Sequence, residues 1–157
     1  FLAKPFTRHA LIHKVKEILG ARPPIHATVL VAEPNNGIRR LLVQMLTRAG
    51  YAVVERLEAA LSGATPMDVA LVDVASPDPA RWATVHRLRQ QHPGASIVLM
   101  AGSFGDVLIG EAAAAGVEIT LQKPLHEAAV LDAVRRALRQ RPSGVGTQGF
   151  VAIADSP

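Results

Sequence analysis

Asp73 ends the apolar run Val69–Val72 inside the stretch DVALVDVASPDP, residues 68–79. A short run of that kind, bounded by acids, is the pattern of a strand buried on both faces of a parallel sheet. Ser76, Pro77 and Pro79 then turn the chain into a loop. A carboxylate held at such a strand end can act as a nucleophile, or it can simply open a turn. Two further residues have the same setting. Glu33 follows the apolar run Val29–Ala32, and Lys123 follows the run Val117–Leu121. Two carboxylates and a lysine brought to one place suit phosphoryl chemistry. One acid attacks, the lysine steadies phosphoryl oxygens, and a magnesium ion can bridge acid and phosphate. The same three groups also suit a buried ion cluster in which Lys123 neutralises both acids, and the two readings are compatible.

Convergence of these residues depends on the elements between them. Apolar runs predict strands over Val29–Ala32, Tyr51–Glu55, 68–73, Ser96–Met100 and Val117–Leu121. Between them lie helical stripes: Ile38, Leu41, Leu42, Met45 and Leu46, stopping at Gly50; a short alanine-rich helix over Arg56–Gly63; Ala80–Gln91 with Val85 and Leu88 inward; Val107–Ala115, closed by Gly116; and Glu127–Arg139 with Val130, Leu131, Val134 and Leu138 on one face. Strands alternating with helices predict an α/β fold, a doubly wound five-stranded parallel sheet with right-handed crossovers and helices on both faces. The flavodoxin-like order 2-1-3-4-5 places the ends of the first and third strands at the switch point, where sites form. Glu33 and Asp73 then sit side by side, with Lys123 approaching from the fifth strand.

Composition narrows the function. The chain has 157 residues, 49% of them hydrophobic but only 4% aromatic, so the core is aliphatic. It has no cysteine, which excludes disulfides, thiolate chemistry and Cys-based zinc sites and fits a cytoplasmic protein. No apolar run approaches the ~20 residues of a membrane span. The net charge of +4 comes mostly from arginines scattered over helices without interleaved aromatics, a solvated surface rather than a nucleic-acid stripe. Asn35-Asn36-Gly37 is far from a phosphate-cradling glycine loop, so nucleotide binding has no support. His9 and His13 share a helix face but have no third ligand nearby. His26, His86, His92 and His126 fall at loop or helix edges and read as solvated. The chain opens on Phe1, and reads as an excerpt of something longer.

Residues 28–140 resemble a response-regulator receiver domain (CheY-like). The resemblance rests on VLVAEPNNGIRRLL, DVALVDVASP, IVLMAGS and the LQKPL before the last helix, in that order and spacing. It implies that Asp73 stands at the phosphoacceptor position, that Lys123 is the phosphoryl-stabilising lysine, and that Mg²⁺ binds through Glu33, Asp73 and the backbone carbonyl of Ala75. It implies as partners a histidine kinase or phosphotransfer domain. Family members pair through the last helix and neighbouring strand, so Val117–Leu121 with Glu127–Arg139 is the expected contact face, for a homodimer among others. FLAKPF at the start, followed by an amphipathic helix, repeats the TLQKPL-helix pattern. Residues 1–20 are therefore expected to be the end of a preceding receiver, 21–27 a linker, and 141–157 a flexible tail. The implied parent is then a hybrid sensor histidine kinase, itself a phosphotransferase and of a kind that can be membrane-anchored, although this stretch is not a stand-alone enzyme.

The sequence departs from the family pattern at three points. Where the family has two adjacent acids, this chain has Glu33 and Pro34. Magnesium demands near-ideal octahedral oxygen geometry, and a missing anionic ligand weakens it. Where the family has a Thr or Ser hydroxyl that bonds the phosphoryl group, this chain has Ala101 and Gly102, with Ser103 two positions late. A hydrogen bond to a charged group contributes roughly 1.5–3 kcal/mol. Thr120 replaces the aromatic of switching members. The expectation is a degenerate receiver acting by contact. The alternative is a working phosphoacceptor that takes a phosphoryl group from phosphohistidine onto Asp73 with Mg²⁺.

Overall fold

The computed structural model describes residues 27–74 and 79–141. The expected N-terminal receiver remnant, linker residues 21–26, the C-terminal tail from 142 and the loop holding Ala75 lie outside them. Five strands, β1 (Thr28–Ala32), β2 (Ala52–Val54), β3 (Val69–Asp73), β4 (Ser96–Ala101) and β5 (Ile119–Gln122), form one sheet of order 2-1-3-4-5. All four pairings are parallel. This is the predicted order. The helices are α1 (Asn36–Arg48), α2 (Leu57–Leu61), α3 (Pro79–Gln91), α4 (Asp106–Ala114) and α5 (Glu127–Arg139).

Successive strand residues face opposite sides of a sheet, and that alternation divides the interior in two. Val29, Val31, Val69, Leu71, Val98 and Met100 pack against Leu42, Met45 and Leu46 of α1 and Val130, Val134 and Ala137 of α5. On the other face Leu30, Ala70, Val72, Ile97 and Leu99 meet Ala60 of α2, Val85 and Leu88 of α3 and Ala112 of α4. β3 lies in the middle and all five of its residues are buried.

Two sequence expectations need correction. Leu41 belongs by spacing to the inward stripe of α1, yet it is 45% exposed. Ile38, Leu42, Met45 and Leu46 at helical spacing already fill the sheet-facing side, and Leu41 falls off that stripe. The fifth strand begins two residues later than Val117. Val117 N–H donates to the Ala112 carbonyl at 2.8 Å, so that buried valine finishes the turn after α4 instead of pairing with β4. Gly50 and Gly116 leave their helices at φ 97° and 71°, left-handed values that glycine adopts without steric cost.

Candidate functional site

Strand register brings the three sequence-predicted residues together. Ala32 pairs with Val72, so the next residues, Glu33 and Asp73, emerge level at the carboxyl edge. Ala101 pairs with Gln122, and Lys123 N–H donates to the Ala101 carbonyl at 2.8 Å. That bond brings the lysine backbone to the same rim. The Lys123–Pro124 peptide is cis. The Lys123 Nζ lies 2.8 Å from Glu33 Oε2 and 2.9 Å from Asp73 Oδ1. Both acids are buried, at 3% and 4% exposure, and Lys123 is the only group that satisfies those two oxygens among the described residues. Burial alone pushes the Lys123 pKa down. The hydrogen bonds and charges of Glu33 and Asp73 outweigh it, and the net shift is upward from 10.5.

Sequence reasoning missed a fourth member, Arg81. Its Nη1 donates to the Asp73 backbone carbonyl at 2.7 Å and to Asp73 Oδ2. The Arg81 side chain is 27% exposed where the Asp73 side chain is 2% exposed. One signal was available. Arg81 stands in the first turn of α3, which has no acid there. A cation at that end of a helix opposes the helix dipole and calls for a nearby carboxylate.

The remaining carboxylate oxygen is taken as well. Asn35 N–H donates to Glu33 Oε1 at 2.9 Å, while the Asn35 side chain caps α1 by accepting from Ile38 N–H at 3.0 Å. Arg39 holds the Glu33 carbonyl at 2.9 Å. Each of the four oxygens on Glu33 and Asp73 therefore has a donor from this chain, and two positive side chains balance two negative ones. Beside the cluster opens a cleft of about 310 Å³ lined by Glu33, Pro34, Arg39, Asp73, Arg81 and Thr84, among others.

These residues do not fit a magnesium ion. Mg²⁺ needs oxygens free to face it in an octahedral shell, and the carboxylate oxygens here face nitrogens. Among the described residues no group of three or more His, Asp or Glu is placed to hold a metal. Pro34 has no carboxylate to offer. Ala101, at the end of β4, is 1% exposed, belongs to the core on the α3 side and has no hydroxyl to offer.

Other sequence expectations resolve around this rim. Trp82 packs against the core on the α3 side, and its Nε1–H donates to Glu111 Oε2 on α4 at 3.1 Å. His92 is not a solvated histidine: its Nε2 lies 2.7 Å from the Ala60 carbonyl. His86 and His126 are exposed, and His26 lies outside the described residues.

Fold and site together define a class, and comparison with known proteins agrees. No family model matches the chain. The DNA-binding transcriptional regulator NtrC of Rhizobium meliloti is 30% identical over 124 residues, which cover 74% of this chain and 26% of NtrC. The chain thus spans about a quarter of that relative's length. Among solved structures, the chemotaxis protein CheY4 of Vibrio cholerae superposes with a TM-score of 0.65 at 26% identity, covering 72% of this chain and 99% of CheY4. A pilus assembly-related protein of Burkholderia pseudomallei gives 0.63 at 29% identity, covering 73% and 91%. Residues 27–141 have the CheY-like receiver fold, and these likenesses support a response-regulator receiver domain of two-component signalling. No described helix is long and apolar enough to cross a membrane.

Proposed function

We propose that this receiver is degenerate: it works by protein–protein contact within a phosphorelay protein, with phosphorylation of Asp73 absent or too weak to signal. The observation that carries this reading is the saturation of the acids, since Lys123, Arg81 and Asn35 together engage every oxygen of Glu33 and Asp73. A phosphoacceptor needs one carboxylate oxygen free to attack. It also needs donors for the oxygens of the incoming group. Pro34 in place of a second acid and Ala101 in place of a hydroxyl point the same way. In this reading Asp73 keeps the acceptor position and Lys123 the phosphoryl-stabilising position, both serving to hold the rim in one shape.

The contact partners are a histidine kinase or phosphotransfer domain, or a neighbouring receiver of the same chain. The FLAKPF segment supports tandem receivers in a hybrid sensor histidine kinase parent. The face made by β5 and α5 remains the proposed docking or dimerising surface. Its apolar stripe, Val130, Ala133, Val134 and Ala137, is already buried against the sheet. The outward side of α5 is polar, with Asp132, Arg135, Arg136 and Arg139 exposed, so pairing there would rest on complementary charges rather than apolar burial.

A working acceptor is the second reading, and it has its own observation: Lys123 lies 2.9 Å from Asp73, near enough to follow a phosphoryl group. Trp82, the single tryptophan, sits one residue from Arg81 and reports on both readings. Magnesium followed by beryllofluoride should leave its fluorescence unchanged. A saturable change that Asp73→Asn abolishes would establish the working acceptor instead.

A further inference from the structure

We propose that Arg81 is the resident cation of this site, a tethered guanidinium that occupies the position on Asp73 where a divalent ion would bind. The inference deepens the contact-module reading and rests on it, but it assigns the loss of metal to one side chain. Three observations converge on Arg81. Its Nη1 is held by a backbone carbonyl oxygen and a carboxylate oxygen of one residue at once, a chelate of the kind those oxygens would offer an ion. It supplies the positive charge that Lys123 alone cannot, since one lysine faces two buried acids. It is also more exposed than Asp73, 27% against 2%, and lines the same cleft beside it, where an ion approaching the carboxylate would meet it.

The tether gives Arg81 an advantage over a soluble ion. Arg81 is eight residues from Asp73, so its guanidinium competes at an effective concentration set by the chain, in the millimolar range or above. Magnesium would have to displace it and shed tightly held water as well. A guanidinium is also more weakly hydrated than an ammonium, so holding it against a buried carboxylate costs less desolvation.

The test uses the whole 157-residue chain. Mn²⁺ and Mg²⁺ are titrated into the wild type, Arg81→Gln and Arg81→Lys, with Trp82 fluorescence and Mn²⁺-induced broadening of amide signals near Asp73 as readouts. We expect no saturable binding by the wild type at millimolar ion. We expect Arg81→Gln to gain at least about tenfold in affinity, with broadening centred on Glu33 and Asp73, and Arg81→Lys to gain less. If Arg81→Gln does not fold without ion, folding restored by Mn²⁺ supports the proposal, and absence of restoration overturns it. If neither variant gains affinity, Arg81 is not what excludes the metal, while the contact-module reading stands. If the wild type binds as tightly as Arg81→Gln, the proposal fails. The contact-module reading then falls separately only if that metal-loaded wild type also takes a phosphoryl group.

Discussion

Lys123→Met is the most informative single perturbation of the rim. Its ammonium contacts Glu33 Oε2 at 2.8 Å and Asp73 Oδ1 at 2.9 Å. Coulomb's law with an effective dielectric of about 20 gives roughly 6 kcal/mol of attraction per contact before desolvation is subtracted. Burying the ammonium offsets much of that, and breaking a buried pair from one side costs about 3–5 kcal/mol. The loss falls mainly on Glu33, because Asp73 keeps Arg81 whereas Glu33 keeps only the Asn35 N–H. At about 4 °C per kcal/mol for a domain of this size, the melting temperature should drop by about 12–20 °C. Urea melts should show a lower midpoint with an unchanged slope. Glu33→Gln added to Lys123→Met removes the stranded charge, so the double variant should recover most of the loss. A single-variant loss below about 1 kcal/mol, the level of an exposed ion pair, would refute the buried-cluster argument. So would a double variant no more stable than the single one.

Further predictions follow from the same chemistry. The Lys123 pKa is raised in the fold from 10.5, so its stabilisation is complete below that unfolded value and is lost as pH rises through the folded value. Alkaline melts should show that decline, and Lys123→Met should lack its share of it. Tyr51 contributes in the same direction. Burial raises its phenol against an opposing pull from Arg135, so Tyr51→Phe should flatten the remaining alkaline slope. The Tyr51 hydroxyl is buried with no hydrogen-bond partner among the described residues. Near neutral pH, Tyr51→Phe should therefore stabilise the domain by about 1 kcal/mol in urea melts. At the opposite edge of the sheet Asp68 accepts the Thr28 N–H at 2.7 Å and pairs with Arg141 at 2.7 Å. Asp68→Ala strands that N–H and should cost roughly 1–3 kcal/mol, measured by the same melts.

The fold was legible because its two periodicities are clean. Apolar runs such as Val69–Val72 lie between stripes such as Leu42, Met45 and Leu46, and short breaks at Gly50 and Gly116 leave few other ways to connect them. The convergence of Glu33, Asp73 and Lys123 followed from sheet order alone, since three strand ends at one edge meet whatever fills the loops. Arg81 did not follow. Its partner lies across a loop, and helix-face reasoning sorts residues by inward or outward side without seeing what a long side chain reaches over the helix end. Its cost against the helix dipole was the one local clue. Leu41 failed for the opposite reason. A leucine inside an apolar stripe looks inward, but neighbours at better angles had already filled the sheet face. His92 reads as solvated only until Ala60, 32 residues earlier, is brought beside it.

The central claim is that Asp73 is neutralised by its own chain and does not take up a phosphoryl group. Intact-mass measurement after incubating the chain with acetyl phosphate and magnesium tests it most directly, with Asp73→Asn as control. The wild type should carry no phosphoryl adduct. A stoichiometric adduct that Asp73→Asn abolishes would contradict it.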